Sequence, residues 1–297
     1  MIKRTLYFGN PTYLSIKDKQ LAVKLLETEE TKTIPIEDIG MVVLDHWQIS
    51  CTQKVFESLL SNNAALITCD SSHMPQGMML NLSGNTLQTE RFRTQIEASE
   101  PLKKRLWQQT IECKIHNQAM VLKQRGVKVE NMLYWESCVK SGDGDNHEAR
   151  AAAYYWRNIF DKIPDFLRGQ DEDPPNNLLN YGYTILRAVV ARALVSSGML
   201  PTLGIHHRNK YNAYCLADDI MEPYRPYVDK LICQIVDEGG SFELTKELKA
   251  KLLSIPVLDI QIGGNKSPLM VGVSQTTASL YRCFEGDSRK ILYPEIE

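Results

Sequence analysis

Three segments, far apart in the chain, carry side chains able to bind a cation or move a proton. The first is Glu148-Ala149-Arg150-Ala151-Ala152-Ala153-Tyr154-Tyr155-Trp156. On a helix, Glu148, Ala152 and Tyr155 share one face, and the alanines let another backbone or a ligand come close. An acid in a helix's first turn also simply suits the positive end of the helix dipole. The second segment, Leu203 to Lys210, sets His206 and His207 side by side ahead of Arg208 and Lys210. Adjacent side chains diverge on both strands and helices, so only one of the two histidines should point into a site. A lone histidine is also often just a satisfied structural residue. The third segment runs from Leu216 to Asp229 and holds Asp218, Asp219 and Glu222 close together, with Pro223 and Pro226 fixing the backbone after them. Asp219 and Glu222 are spaced i, i+3 and can share a helix face. Crowded carboxylates repel unless protonated or bridged by a cation; acids decorating a helix N-terminus are the plainer alternative.

Together the segments suggest one chemistry. A divalent ion that activates a phosphodiester wants oxygen ligands and open coordination positions. One imidazole added to two carboxylates suits Mn²⁺ and still permits Mg²⁺. The sequence has no phosphate-binding Gly-x-x-x-x-Gly-Lys-Ser/Thr loop, and no His-x-His or His-Glu-x-x-His pair of the kind zinc hydrolases use.

The elements that must position these residues fall into two textures. Ile2–Phe8, Tyr13–Lys17, Leu21–Leu26, Ile34–Ile36, Gly40–Leu44, Ala65–Cys69 and Gly77–Leu82 read as short strands between turn signals, with a helix over Gln53–Leu60. After Ser83-Gly84-Asn85 the pattern turns helical: Arg91–Ser99, Leu102–Lys123, a helix starting near His147, Leu178–Ser197 closed by Gly198, Val228–Val236 and Lys246–Leu253. Gln170–Pro175 reads as a loop, and the polar tail after Glu285 as loosely held. The expected fold is α+β: a β-rich domain over residues 1–85, then a larger all-α catalytic domain over residues 86–297.

A chain of 297 residues, 43% of them hydrophobic, can bury a sizeable core. No apolar run is long enough to cross a bilayer, and the first residues lack a signal-peptide pattern, so a soluble, cytoplasmic protein is expected. Seven scattered cysteines without a Cys-x-x-Cys pair argue against a zinc ribbon or a disulfide framework. The net charge of −2 hides an uneven distribution: residues 91–130 carry nine Lys and Arg against four Asp and Glu. Arg91, Arg93, Lys103, Lys104 and Arg105 open that stretch, which is either a solvated helix face or a surface that tracks phosphates.

Glu148 with Ala151, Ala152 and Tyr155, Asn180-Tyr181-Gly182-Tyr183 through Arg187, Gly204-Ile205-x-His207, and Leu216-Ala217-Asp218-Asp219 into Met221-Glu222-Pro223-Tyr224-Arg225-Pro226 with Val228-Asp229 together resemble the CRISPR adaptation integrase family, closest to its type II branch. Order and approximate spacing agree over nearly the whole chain; Ala149 departs from the glycine found in many members. The resemblance implies Glu148, His207 and Glu222 as catalytic metal ligands for Mg²⁺ or Mn²⁺, with Asp219 and Asp218 supporting them. His206 then has a structural or DNA-contact role, and Arg208, Lys210 and Arg225 join the basic stretch as DNA-binding candidates. It further implies insertion of short DNA spacers into a CRISPR array by 3′-hydroxyl strand transfer. The partners it implies are double-stranded DNA, a second copy of the chain, a small ferredoxin-like adaptation subunit and other type II CRISPR proteins, with no membrane. A metal-dependent repair nuclease acting on branched DNA would use the same ligands, and a catalytically idle DNA-binding scaffold would need none of them.

Overall fold

The structure is a computed structural model and describes residues 3–169 and 173–297. Of the loop expected over Gln170–Pro175, residues 170–172 lie outside the described residues.

The first part contains β1 (Arg4–Phe8), β2 (Thr12–Lys17), β3 (Gln20–Leu25), β4 (Thr31–Pro35), β5 (Ile39–Leu44), β6 (Ile49–Cys51), α1 (Gln53–Ser61), β7 (Ala65–Cys69) and β8 (Pro75–Met79). Two four-stranded sheets form, in the orders β1-β5-β7-β8 and β4-β3-β2-β6. In the first sheet β1, β5 and β7 run parallel and β8 returns antiparallel. Parallel strands are normally covered on both faces, and here the side-chain alternation shows how. Val42 and Leu66 join a small core with Leu14 and Leu21 of the second sheet and Leu59 of α1. Met41, Val43 and Ile67 point the other way, into the large helical core.

The helical part comprises α2 (Gln88–Glu97), α3 (Glu100–Gln124), α4 (Glu130–Cys138), α5 (His147–Asn158), α6 (Asn176–Ser196), α7 (Cys215–Met221), a 3₁₀ turn (Glu222–Tyr224), α8 (Arg225–Glu238), α9 (Lys246–Leu252) and α10 (Leu269–Glu285). Ser99 caps α3, and Pro101 sits in its first turn, where no backbone donor is wanted. α6 is buried almost all round, as expected for a helix at the centre of a bundle.

The expectation of an all-α second domain needs correction. β9 (Asp259–Ile262) and β10 (Asn265–Pro268) form an antiparallel hairpin inside it. Its turn, Gly263-Gly264, has φ of 58° and 75°, values that glycine takes without a Cβ penalty. The tail is not loosely held either. Ile291, Tyr293 and Ile296 are buried, Pro294 bridges to Ile262, the Ile296 N–H donates to Asn117 Oδ1 at 2.8 Å, and the Tyr293 hydroxyl lies 2.8 Å from Thr110 Oγ1. Both corrections have one cause: the hairpin and tail bury their apolar positions against α3 and α10, a surface that local patterning does not display.

One polar lock joins the two parts. Asp45, at the end of β5, is buried and accepts from Tyr7 Oη (2.6 Å) and Lys249 Nζ of α9 (2.7 Å), with His73 Nδ1 at 2.8 Å. Burial alone would raise the Asp45 carboxyl pKa; Lys249, Tyr7 and His73 together hold it below the ordinary range. Among the described residues, no helix is long and apolar enough to cross a membrane.

Candidate metal and phosphate site

Glu148 owes its place to a helix cap. The polar turn before α5 brings Asn146 into the left-handed region at φ 56°, and the Asp143 carboxylate accepts from the His147 N–H (3.0 Å) and the Glu148 N–H (2.9 Å). Asp143 thus satisfies two donors that a helix start leaves open, and Glu148 emerges in the first turn. The small face of α5 does admit a neighbour: Ala151 is fully buried, and the Tyr155 hydroxyl donates to Asp229 at 2.9 Å. Tyr183 donates to the same carboxylate at 2.5 Å, and burial pushes Asp229 up to about 6.

His207 lies in the loop between α6 and α7. Asp219, fully buried on α7, folds that loop around itself: Oδ2 accepts from the His206 N–H (2.9 Å), and Oδ1 lies 3.2 Å from the His207 nitrogen and 2.5 Å from His207 Nδ1. With Nδ1–H given to Asp219, Nε2 is left with its lone pair free, the arrangement a metal-binding imidazole needs. The Asp219 hydrogen bond raises the imidazole pKa against the opposing effect of burial. His206 stacks flat on Trp107 of α3, with ring centroids 4.1 Å apart and planes 2° from parallel, and Trp107 also meets the His207 ring edge-on at 5.5 Å. The two histidines therefore diverge: one braces the loop and the other is held by Asp219.

Gly204 is where this loop passes closest to its support. A Cβ there would stand 2.5 Å from the His207 carbonyl oxygen and 2.7 Å from Asp219 Oδ2. Backbone and a buried carboxylate cannot both yield, so Gly204→Ala is expected to cost roughly 1–3 kcal/mol, the usual range for overpacking. Urea denaturation checks this, and a variant as stable as wild type would contradict the packing described.

Glu222 opens the 3₁₀ turn after α7 and is buried. Lys114, on the middle of α3, stands between the two acids: its Nζ lies 2.6 Å from Glu148 Oε1 and 2.6 Å from Glu222 Oε2. Arg225 reaches Glu222 Oε1 at 3.1 Å and lies 4.9 Å over the Tyr183 ring. Burial would raise the Glu222 carboxyl; Arg225 and Lys114 overcome this and hold it below the ordinary range. Burial would likewise lower the Lys114 ammonium, and Glu222 and Glu148 reverse that. The contact between Lys114 and Glu222 Oε2 is ionic: that oxygen accepts no aligned hydrogen bond.

The structure therefore brings Glu148 and Glu222 together around one cation and sets the Asp219-bound His207 against the same helix, through Trp107. Among the described residues, no three His, Cys, Asp or Glu side chains stand close enough to hold an ion as they are arranged. Lys114 is the residue that sequence reasoning missed. A lysine within a helix reads by default as exposed, and its two partners lie 34 and 108 residues away in the chain.

The remaining candidates separate. Asp218 pairs with Arg187 at 2.6 Å, with Asn212 donating to its other oxygen. Its side-chain partners are thus Arg187 and Asn212 rather than Glu148, His207 or Glu222. Arg91 is also redirected: it donates to the Ser197 carbonyl at 2.8 Å and lies 4.1 Å over Tyr281, which docks α2 on the bundle and leaves less of it for DNA. Arg225, a DNA-binding candidate from the sequence, pairs with Glu222. Arg93, Lys104 and Arg105 are exposed. Lys103 lies 3.7 Å from Glu100, Arg208 pairs with the same Glu100, and Lys210 lies 4.8 Å over the exposed ring of Tyr211.

The family model described as "CRISPR associated protein Cas1" matches residues 6–247. A "CRISPR-associated endonuclease Cas1" from Neisseria meningitidis serogroup C (strain 8013) is 33% identical over 300 residues, covering 100% of this chain and 97% of the relative. Among solved structures, a casposase bound to integration product superposes with a TM-score of 0.81 at 20% identity, covering 100% of this chain and 95% of that one. A CAS1 protein from Thermotoga maritima superposes with a TM-score of 0.73 at 15% identity, over 99% of this chain and 100% of that one. At those identities the structures speak to the fold, a β-rich part followed by a mostly helical one, while the family model and the full-length relative speak to descent. This chain belongs to the Cas1 family of CRISPR-associated proteins.

Proposed function

We propose that this chain is a metal-dependent DNA endonuclease and integrase that inserts short DNA spacers into a CRISPR array by 3′-hydroxyl strand transfer. The observation that carries the proposal is the pair of acids, Glu148 and Glu222, drawn onto one positive charge beside an imidazole whose Nδ1 is already committed to Asp219. Glu148, Glu222 and Nε2 of His207 form a donor set of two carboxylates and one imidazole, which suits Mg²⁺ or Mn²⁺. The buried Glu222 Oε2, which already meets the Lys114 ammonium at 2.6 Å without an aligned hydrogen bond, supports the fit, because it sits where a cation is held. When bound, the ion would supply Lewis-acid stabilisation of charge on the reacting oxygens.

The chain's own groups do the rest. Asp219 fixes the tautomer and direction of the His207 ring, and Trp107 with His206 anchors the loop that carries it. Arg225, held over Tyr183, keeps Glu222 ionised in a buried setting. In the transfer, the incoming 3′-hydroxyl gives up its proton as its oxygen bonds to phosphorus, the bond from phosphorus to the target strand's 3′-oxygen breaks, and that leaving oxygen takes up a proton. One phosphodiester replaces another, so no nucleotide cofactor is consumed. Exposed Lys104 and Arg105, with Arg93, Arg208 and Lys210, supply positive charge for backbone phosphates; contacts of that kind position DNA without reading its sequence and weaken with salt. The relatives include a Cas1–DNA complex and a complex of Cas6-RT-Cas1 with Cas2. We extend DNA and a small adaptation subunit to this chain as partners, and take from the sequence resemblance that the DNA is double-stranded, that the subunit is ferredoxin-like and that a second copy takes part.

The test is joining of a short duplex to a supercoiled CRISPR plasmid with Mn²⁺. His207→Ala is expected to lower the joining rate roughly 10²–10³-fold, the size found when one preorganised charge-stabilising group is lost. Undiminished joining in the variant removes His207 from the chemistry. Cleavage of branched DNA without any joining by wild type favours a repair nuclease.

A further inference from the structure

We infer that Lys114 is a resident counter-ion of the catalytic acids: it holds Glu148 and Glu222 in place when the divalent ion is absent and must give way for that ion to bind. The inference rests on the metal site proposed above. Both Glu222 oxygens are already engaged, Oε1 by Arg225 at 3.1 Å and Oε2 by Lys114 at 2.6 Å. A carboxylate offers about four lone-pair sites, but the place between Glu222 and Glu148, where one ion would meet both acids, is filled by Lys114 Nζ. Arg225 is held against the Tyr183 ring, and a guanidinium keeps its fixed fork. Lys114 is a compact charge on a flexible four-carbon stem, and it also holds the other acid, Glu148, at 2.6 Å. Displacing Lys114 therefore frees an oxygen on each carboxylate at once, whereas displacing Arg225 frees only one.

Lys114 is thereby a positioning residue with two opposed effects. Without the divalent ion it neutralises the repulsion between two nearby carboxylates, one of them buried. With the ion present it competes for the same oxygens, so the site binds the metal more weakly than its donors alone would allow. Anything that binds only one of two competing states shifts the balance by its differential affinity.

The experiment is Mn²⁺ binding followed by electron paramagnetic resonance of the free ion, on the full chain without DNA, for wild type, Lys114→Met, Lys114→Gln and Glu148→Ala. Glu148→Ala identifies the binding that belongs to this site. Both Lys114 variants are expected to bind Mn²⁺ on the order of tenfold more tightly than wild type, within the usual span of coupling between two ligands. Metal-free, they are expected to melt below wild type and to gain more from added Mn²⁺. Glu148-dependent binding in wild type, with equal or weaker affinity in both Lys114 variants, overturns the role of Lys114 and leaves the metal site standing. If neither wild type nor a Lys114 variant shows Glu148-dependent binding, both readings fall. If a variant is unfolded without metal, recovery of its fold on adding Mn²⁺ supports the inference, and failure of both variants to recover overturns it.

Discussion

Glu222→Ala is expected to reduce DNA joining by at least 10³-fold, beyond the usual cost of losing one charge-stabilising group, and to destabilise the protein as well. The second effect runs against the usual trade-off, in which removing an active-site charge relieves repulsion and leaves an enzyme more stable. Here the buried Glu222 carboxylate answers the buried Lys114 at 2.6 Å and the partly exposed Arg225 at 3.1 Å. Its loss leaves Lys114 with Glu148 alone and Arg225 without its carboxylate, which costs part of the roughly 3–5 kcal/mol of breaking a fully buried pair. Glu148→Ala should lose as much activity and less stability, because Glu148 is partly exposed and its loss still leaves Lys114 with Glu222. Urea denaturation beside the joining assay separates the two variants. Equal stability of Glu222→Ala and wild type would mean that the ion cluster holds nothing together. The pH dependence follows from the lowered Glu222 carboxyl. Its contribution is complete above the ordinary carboxylate range and is lost as pH falls through the depressed folded value. Wild type should therefore lose stability in acid more steeply than Glu222→Gln.

The second large effect lies away from the chemistry. Asp45→Ala is expected to cost about 3–5 kcal/mol, because it strands the buried Lys249 ammonium and removes the acceptor of Tyr7 and His73. The double variant Asp45→Leu with Lys249→Met should recover much of that loss, since an apolar pair of similar volume needs no compensation. Chemical denaturation of Asp45→Leu, Lys249→Met and the double variant, beside wild type, forms a closed cycle. If the double variant's loss equalled the sum of the two single losses, Asp45 and Lys249 would not be coupled.

How much of this was legible in the sequence depends on whether the information was local. The helices over Leu102–Lys123 and Leu178–Ser197 emerge as Glu100–Gln124 and Asn176–Ser196, because apolar spacing and end signals lie within each segment. Most strands of the first part are legible as short apolar or β-branched runs between turn signals, whereas β6, only three residues long, does not read as a strand. The hairpin at Gly263-Gly264 was overlooked although its turn pair is a strong signal, since the flanking strands have only four residues each. Ile291 and Tyr293 alternate as a buried extended segment does, yet the charged residues around them dominate the tail's composition. In the site, the spacing from Asp219 to Glu222 is local and legible, and so is the first-turn position of Glu148. The stack of His206 on Trp107 and the burial of Lys114 are not, because each depends on a partner supplied by a distant part of the chain.

The central sheet has one more consequence. Because Val42 and Leu66 serve one core while Met41, Val43 and Ile67 serve the other, β5 and β7 cannot be released from either side without opening both. Their backbone amides should thus exchange with solvent only when the whole molecule unravels, at the same slow pace as those of α6, and proteolysis should find no nick that frees one half as a durable fragment.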